Sequence, residues 1–229
     1  MSDSPHEACG VVGVVTPDED AARIAFFGLF ALQHRGQESS GIASADGTTV
    51  SLHTSMGLVS QAFHEFDLRR LPGNLSIGHT RYSTTGSSSE QNAQPFRVAG
   101  SHGVLALAHN GNVINAAELR EELITGWGCQ FQTSTDSEVI AHLLVNAPGK
   151  DWGQRVAYIM RRLRGAFSQV VLLPDSVIAM RDPLGVRPLC IGEYGDGWVV
   201  ASESCALDHI GARFVRELDP GEAIQINGE

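Results

Sequence analysis

With 229 residues, 42% hydrophobic and 18% charged, the chain has the composition of a folded globular protein, which excludes disorder as its default state. Against 26 acidic residues stand 16 basic ones, a net charge of −10 that repels phosphate backbones and anionic lipid and argues against nucleic acid or a membrane as partner. Cys9, Cys129, Cys190 and Cys205 form no CxxC pair, and the nine histidines include no His-x-x-x-His spacing, so a reducing, cytoplasmic setting is expected and a metal site is not.

The polar start, residues 1–8, has no apolar centre and is not a signal peptide. It reads as a leader, expected to be cleaved, ahead of one domain over residues 9–229. A strand is predicted over Val11–Val15, then a helix over Ala22–Gln33 that is apolar over most of its surface and therefore expected to be well buried. Its longest apolar stretch, Ile24 to Leu32, is about half the length that crosses a bilayer. Strands follow at Thr48–His53, Leu75–His79 and Val104–Ala108. Asn115 with Glu118 three residues on predicts a capping box for a helix over Ala116–Ile124, and Thr135 with Glu138 repeats it ahead of Val139–Leu144. Val156, Ile159, Met160 and Leu163 share one face of a further helix. Strands then run at Phe167–Leu173, Val177–Met180, Trp198–Ala201 and Ala223–Ile226, with turns at Pro174-Asp175, Gly195-Asp196-Gly197 and Pro220-Gly221. Strands and helices do not alternate strictly, which argues against a doubly wound parallel sheet. The pattern predicts an α+β sandwich of mainly antiparallel sheets with helices outside.

Four constellations carry chemistry. Cys9 opens the first strand; a cysteine there is ordinarily a small buried hydrophobe. Removal of the leader would make it the chain terminus, whose amine titrates near ~8 and can take the thiol proton itself. Gly10 beside it would leave room for a substrate. Arg81, in Gly78-His-Thr-Arg-Tyr-Ser-Thr-Thr-Gly86, is either a solvated charge at a strand end or a fork for a carboxylate. His109-Asn-Gly-Asn112 after Val104–Ala108 ordinarily reads as a tight turn; the functional alternative, compatible with it, is an oxyanion hole made by the Asn110 amide and the Gly111 N–H. In Thr135-Asp-Ser-Glu138, capping by Thr135 and Glu138 would leave Asp136 free to face an ammonium group.

These motifs, taken in order with Leu32-Gln-His-Arg-Gly-Gln-Glu38, Asn92-Ala-Gln-Pro-Phe96, Arg164-Gly-Ala-Phe167 and Arg181-Asp-Pro-Leu-Gly-Val-Arg-Pro-Leu189, resemble the class II glutamine amidotransferase domain. The resemblance runs from Cys9 to about Ile226. Within the class the text is more similar to the amidophosphoribosyltransferase family than to the glucosamine-6-phosphate synthases, whose usual Tyr-Arg-Gly-Tyr-Asp stands here as His34-Arg-Gly-Gln-Glu38. It implies a four-layer αββα sandwich of the N-terminal-nucleophile hydrolase type. It implies Cys9 as nucleophile with its freed amine as base, and Asn110 and Gly111 as stabilisers of the oxyanion. Arg81 would hold the glutamine α-carboxylate and Asp136 its α-ammonium, with Thr84 nearby and Gly36 and the Arg35 loop walling the pocket. Ammonia from glutamine would pass to a phosphoribosyltransferase domain, in cis or trans, in a full-length homo-oligomer. That domain is expected outside this chain, together with Mg2+ and any iron–sulfur cluster, because Cys129, Cys190 and Cys205 make no cluster motif. Two alternatives stand beside this reading: a glutaminase feeding another acceptor, such as a glucosamine-6-phosphate-synthase-like partner, and an inactive glutamine-binding module.

Overall fold

The computed structural model describes residues 9–18, 20–82 and 90–228. The chain begins with β1 (Gly10–Val15) and α1 (Ala21–Ala31), passes a 3-10 turn at Gln33–Arg35, and continues with β2 (Ser39–Ala45), β3 (Val50–Met56), the short α2 (Val59–Ala62) and α3 (Glu65–Leu68), and β4 (Leu75–Arg81). Next come β5 (Phe96–Gly100), β6 (Gly103–Val113), α4 (Ala116–Trp127), α5 (Asp136–Asn146) and α6 (Trp152–Met160). The last third holds β7 (Gly165–Leu172), β8 (Ser176–Arg181), β9 (Cys190–Tyr194), β10 (Gly197–Ala201), α7 (Ser204–Ile210), β11 (Arg213–Glu217) and β12 (Ala223–Asn227). A seven-stranded sheet has the order β11-β9-β10-β1-β4-β2-β3 and a five-stranded sheet the order β12-β8-β7-β6-β5. Every pairing is antiparallel.

Side-chain alternation along the strands builds three apolar layers. Val12 and Val14 of β1 face α1 and α7, while Val11 and Val15 face the second sheet. In β6, Ala106 and Ala108 face the first sheet, and Leu105 and Leu107 pack beneath α4, α5 and α6. The result is helix, sheet, sheet, helix: the expected αββα sandwich. No helix among the described residues is long and apolar enough to cross a membrane.

Several local expectations need correction. α1 is not buried all round, because Phe27 and Phe30 are exposed while Ala25 and Leu29 face the sheet. Asn115 does not cap α4; its side chain bonds the Arg162 carbonyl at 2.9 Å and the Arg164 N–H at 3.0 Å, a tertiary tie that replaces the local one. Thr135 does cap α5 by accepting from the Glu138 N–H, but the Glu138 carboxylate takes the Gln132 and Thr133 N–H groups instead of returning to Thr135. The Pro220-Gly221 turn joins β11 to β12, which lie in different sheets, so it makes no hairpin.

Candidate active site

The alternation that builds the inter-sheet layer also aims the site. Leu75 and Ile77 of β4 face the second sheet, so His79 and Arg81 continue that row. Ala106 and Ala108 of β6 face the first sheet, so Asn110 does too. The register pairs Gly10 with Thr80 and Ser39 with Arg81, which brings Cys9 to the end of β4 beside Arg81. Cys9, Arg81 and Asn110 therefore extend one apolar layer to its polar end. Gly10 has the opposite parity, and a Cβ there would meet Thr80 Cγ2 at 2.8 Å and Leu32 Cβ at 3.0 Å. Its small size serves packing against the 3-10 turn, not the substrate space expected from the sequence.

Cys9 is held from several sides. Arg35 Nε donates to the Cys9 carbonyl at 3.0 Å, and Arg35 Nη1 pairs with Glu203, the residue before α7. With its amide oriented so that both ends meet complementary partners, Asn110 donates from Nδ2 to the Cys9 carbonyl at 3.3 Å and accepts from Arg35 Nη2 at 3.3 Å. Ser168, its register partner on β7, puts Oγ 3.4 Å from the same amide. The Cys9 thiol donates to the Tyr82 carbonyl, 3.8 Å away. Burial pushes this thiol up, and the Tyr82 contact and the Arg81 and Arg35 guanidiniums only partly pull it back. It stays protonated at neutral pH, and among the described residues no imidazole or carboxylate hydrogen-bonds to its sulfur. A thiol in that state needs another proton acceptor to become a nucleophile.

The Arg81 side chain is only 11% exposed, so it is not the solvated charge of a strand end. Its Nη1 lies 3.5 Å from Glu38 Oε1, whose side chain is 13% exposed. Arg81 Nη1 and both Glu38 oxygens lack hydrogen-bond partners among the described residues. Gly36 packs under this pair: a Cβ would fall 2.5 Å from the Arg81 carbonyl carbon, and its own carbonyl accepts from Thr80 Oγ1 at 2.5 Å. Thr84 lies outside the described residues.

Asn110-Gly111 is not a turn. β6 runs straight through it, pairing Asn110 with Ser168 and Gly111 with Phe167. Phe167 spends its N–H and carbonyl on Asp182, at 3.2 and 2.9 Å, so the Gly111–Phe167 pair exchanges no ladder bonds and the Gly111 N–H points away from β7. Along that edge the His109 N–H donates to Gln94 Oε1 at 2.8 Å and the Val113 N–H to Asp136 Oδ2 at 2.8 Å. Between them the Gly111 N–H meets no partner among the described residues. Only glycine fits here, because φ is +151° and a Cβ would lie 2.1 Å from the Ala166 carbonyl oxygen.

Asp136 is thus engaged rather than free. Its Oδ1 stands 3.7 Å from His109 Nδ1 and 3.3 Å from Ser137 Oγ. Burial alone would raise its carboxyl, but the His109 ring, the Val113 N–H and the Ser137 hydroxyl outweigh burial and hold it down at about 2, so it carries its negative charge. Under this network, burial drives the His79 ring down to about 3; it stays neutral and donates from Nε2 to the His109 carbonyl at 3.1 Å, tying the sheets together. The structure therefore gathers Cys9, Arg35, Gly36, Arg81 and Asn110 around one point, with Gly111 and Asp136 along the facing strand edge. Sequence reading missed Glu203, Ser168 and the part played by Glu38. The first two carry no local signal, whereas Glu38 stands in the quoted Arg35-Gly-Gln-Glu38 text.

Residues 79–209 match the protein family described as "Glutamine amidotransferase domain". The chain is 51% identical over 231 residues to the amidophosphoribosyltransferase of Synechocystis sp., an alignment covering 98% of this chain and 46% of that protein. Among solved structures it is similar to the glutamine phosphoribosylpyrophosphate amidotransferase from B. subtilis complexed with ADP and GMP, at a TM-score of 0.88 and 41% identity, covering 96% of this chain and 47% of that one. It is also similar to a structure described as the allosteric regulatory enzyme of purine biosynthesis, at a TM-score of 0.90 and 41% identity with the same coverage. The chain spans about half the length of the relatives it matches.

Proposed function

The chain belongs to the glutamine amidotransferase domain family, and from that premise we propose that it hydrolyses glutamine to glutamate and ammonia through a thioester on Cys9, as the glutaminase part of an amidophosphoribosyltransferase. Its ammonia would serve phosphoribosylamine formation from phosphoribosyl pyrophosphate, the first step of purine synthesis, on a phosphoribosyltransferase domain in cis or trans. Mg2+ and any iron–sulfur cluster belong, in this reading, to that domain, in a cytoplasmic homo-oligomer.

The observation that carries the reading is the pairing of a protonated thiol, without an imidazole or carboxylate partner among the described residues, with two donors on the facing strand. With residues 1–8 removed, the Cys9 α-amine is the nearest base and takes the thiol proton. The sulfur attacks the glutamine amide carbon; the Asn110 amide and the Gly111 N–H receive the developing oxyanion. The protonated amine gives its proton to the departing ammonia, and water then resolves the thioester. Arg81 takes the α-carboxylate, supported by the absence of a hydrogen-bond partner for its Nη1 among the described residues, and the ionised Asp136 takes the α-ammonium, with Thr84 nearby. Gly36 and Arg35 close the wall behind Cys9.

Cys9→Ser tests this directly. The variant should keep its circular dichroism spectrum and lose glutamine hydrolysis, because a hydroxyl is a far weaker nucleophile in the same place. Turnover near the wild-type rate would remove Cys9 from the mechanism. A trimmed wild-type chain that binds glutamine without releasing ammonia would be a binding module instead.

A further inference from the structure

Behind Cys9, on the outer side of Arg35, three ligand-type side chains meet that lie far apart in the sequence: His34, on the 3-10 turn after α1, and Glu203 and Cys205, at the start of α7. His34 Nε2, a Glu203 oxygen and Cys205 Sγ all lie within 4.8 Å of one another. Glu203 divides its carboxylate. Oε1 is taken by Arg35, while Oε2 faces His34 Nε2 at 3.0 Å and Cys205 Sγ at 3.6 Å. A tetrahedral ion with nitrogen and oxygen at about 2.05 Å and sulfur at about 2.3 Å sets ligand–ligand edges of about 3.4 and 3.6 Å, close to the spacings found.

A second observation concerns the imidazole. His34 Nδ1 lies 3.1 Å from the Ala31 carbonyl, which can only accept, so Nδ1 carries a hydrogen. Nε2 then presents a lone pair to a carboxylate oxygen unless a proton or a cation stands between them. A ring nitrogen anchored to a backbone carbonyl, with the other turned to the ligand group, is the arrangement that orients metal-binding histidines. Glu203 and Cys205 line a cavity of about 340 Å³ together with Cys190 and Glu217, which gives room for a water as a further ligand.

We infer that His34, Glu203 and Cys205 form a binding site for a thiophilic divalent cation of the zinc class, with one imidazole, one carboxylate oxygen, one thiolate and an open fourth position. On binding, Cys205 Sγ releases its proton to solvent and Glu203 Oε2 becomes a ligand, while Oε1 stays on Arg35. The sequence hides the site because His34 and Glu203 are 169 positions apart. The site goes beyond the proposed glutaminase activity and does not depend on it, so it is tested in the full chain carrying Cys9→Ser, which also removes the competing thiol.

Titration of that protein with Co2+ should produce a sulfur-to-cobalt charge-transfer band together with intense tetrahedral visible bands, displaced by Zn2+. Adding Cys205→Ser should abolish the charge-transfer band. Adding His34→Ala, an exposed position whose loss does not threaten the fold, should weaken Co2+ binding by roughly tenfold or more. Absence of the bands, their persistence at full strength in the Cys205→Ser protein, or unchanged affinity in the His34→Ala protein would each overturn the assignment.

Discussion

Arg35 and Arg81 reach the Cys9 cluster with side chains equally buried, each 11% exposed, yet the fold uses them differently. Arg35 has a partner for each arm: Nε on the Cys9 carbonyl, Nη1 on Glu203, Nη2 on Asn110. Arg81 faces Glu38 across 3.5 Å, and that gap leaves three buried polar atoms without hydrogen bonds among the described residues. A buried polar atom left unpaired costs about 1–3 kcal/mol, so a pair held this loosely is tolerated where a ligand completes it. In the proposed mechanism Arg35 would be scaffold, fixing nucleophile and oxyanion donor relative to each other, and Arg81 would be kept available for substrate.

The largest expected effect lies on the side that Arg35 organises. In the proposed mechanism Asn110→Ala removes a donor that would act only as charge develops, so kcat should fall about 10²–10³-fold with KM little changed. A large rise in KM at constant kcat would place Asn110 against the ground-state substrate and undo the contrast.

Next in size is Arg81→Ala. Losing one partner of a desolvated charge pair costs roughly 2–5 kcal/mol, so glutamine KM should rise well over tenfold while kcat moves less. Glutamine analogues lacking the α-carboxylate should be poor substrates of the wild type and should lose little further in the variant. Equal hydrolysis of glutamine and such analogues would contradict the pocket.

The smallest effect belongs to Arg35→Lys. An ammonium cannot serve the Cys9 carbonyl, Glu203 and Asn110 at once. Steady-state kinetics should therefore show a several-fold loss in kcat at unchanged KM, with a lowered melting temperature. An effect on KM alone would mean that the two arginines share one task.

Much of this was legible in the chain, for a physical reason. Eight strands announced themselves through β-branched runs such as Val11–Val15 and Val177–Met180, and the order of the motifs led to the αββα sandwich. The other four strands, β2, β5, β9 and β11, carry no such run. β2 is Ser39–Ala45, built of small residues because Gly41 must let the Gln94 backbone approach, and β11 is Arg213–Glu217, an edge strand with charged side chains in the open. The site divides in the same way. Cys9, Arg81 and Asn110 could be singled out because each stands at a strand end or in a polar break in an apolar run. Asn110-Gly111 nonetheless also fits a turn, since the pair favours positive φ and only tertiary pairing with β7 shows that the strand continues. Glu203 and Ser168 acquire their roles from register and helix docking, which no local pattern encodes.

The central claim is that the free amine of Cys9 activates its own thiol, and it is tested by measuring glutaminase activity beside the intact mass of the same sample. While residues 1–8 remain attached, the Cys9 nitrogen is an amide and cannot accept a proton. The uncleaved chain, held in that state by Ala8→Pro, should be inactive. A chain whose initiator Met directly precedes Cys9 and is removed in the cell should be active at once, with activity across preparations following the fraction of mass that begins at Cys9. Full activity in a sample whose mass still includes residues 1–8 would contradict the mechanism.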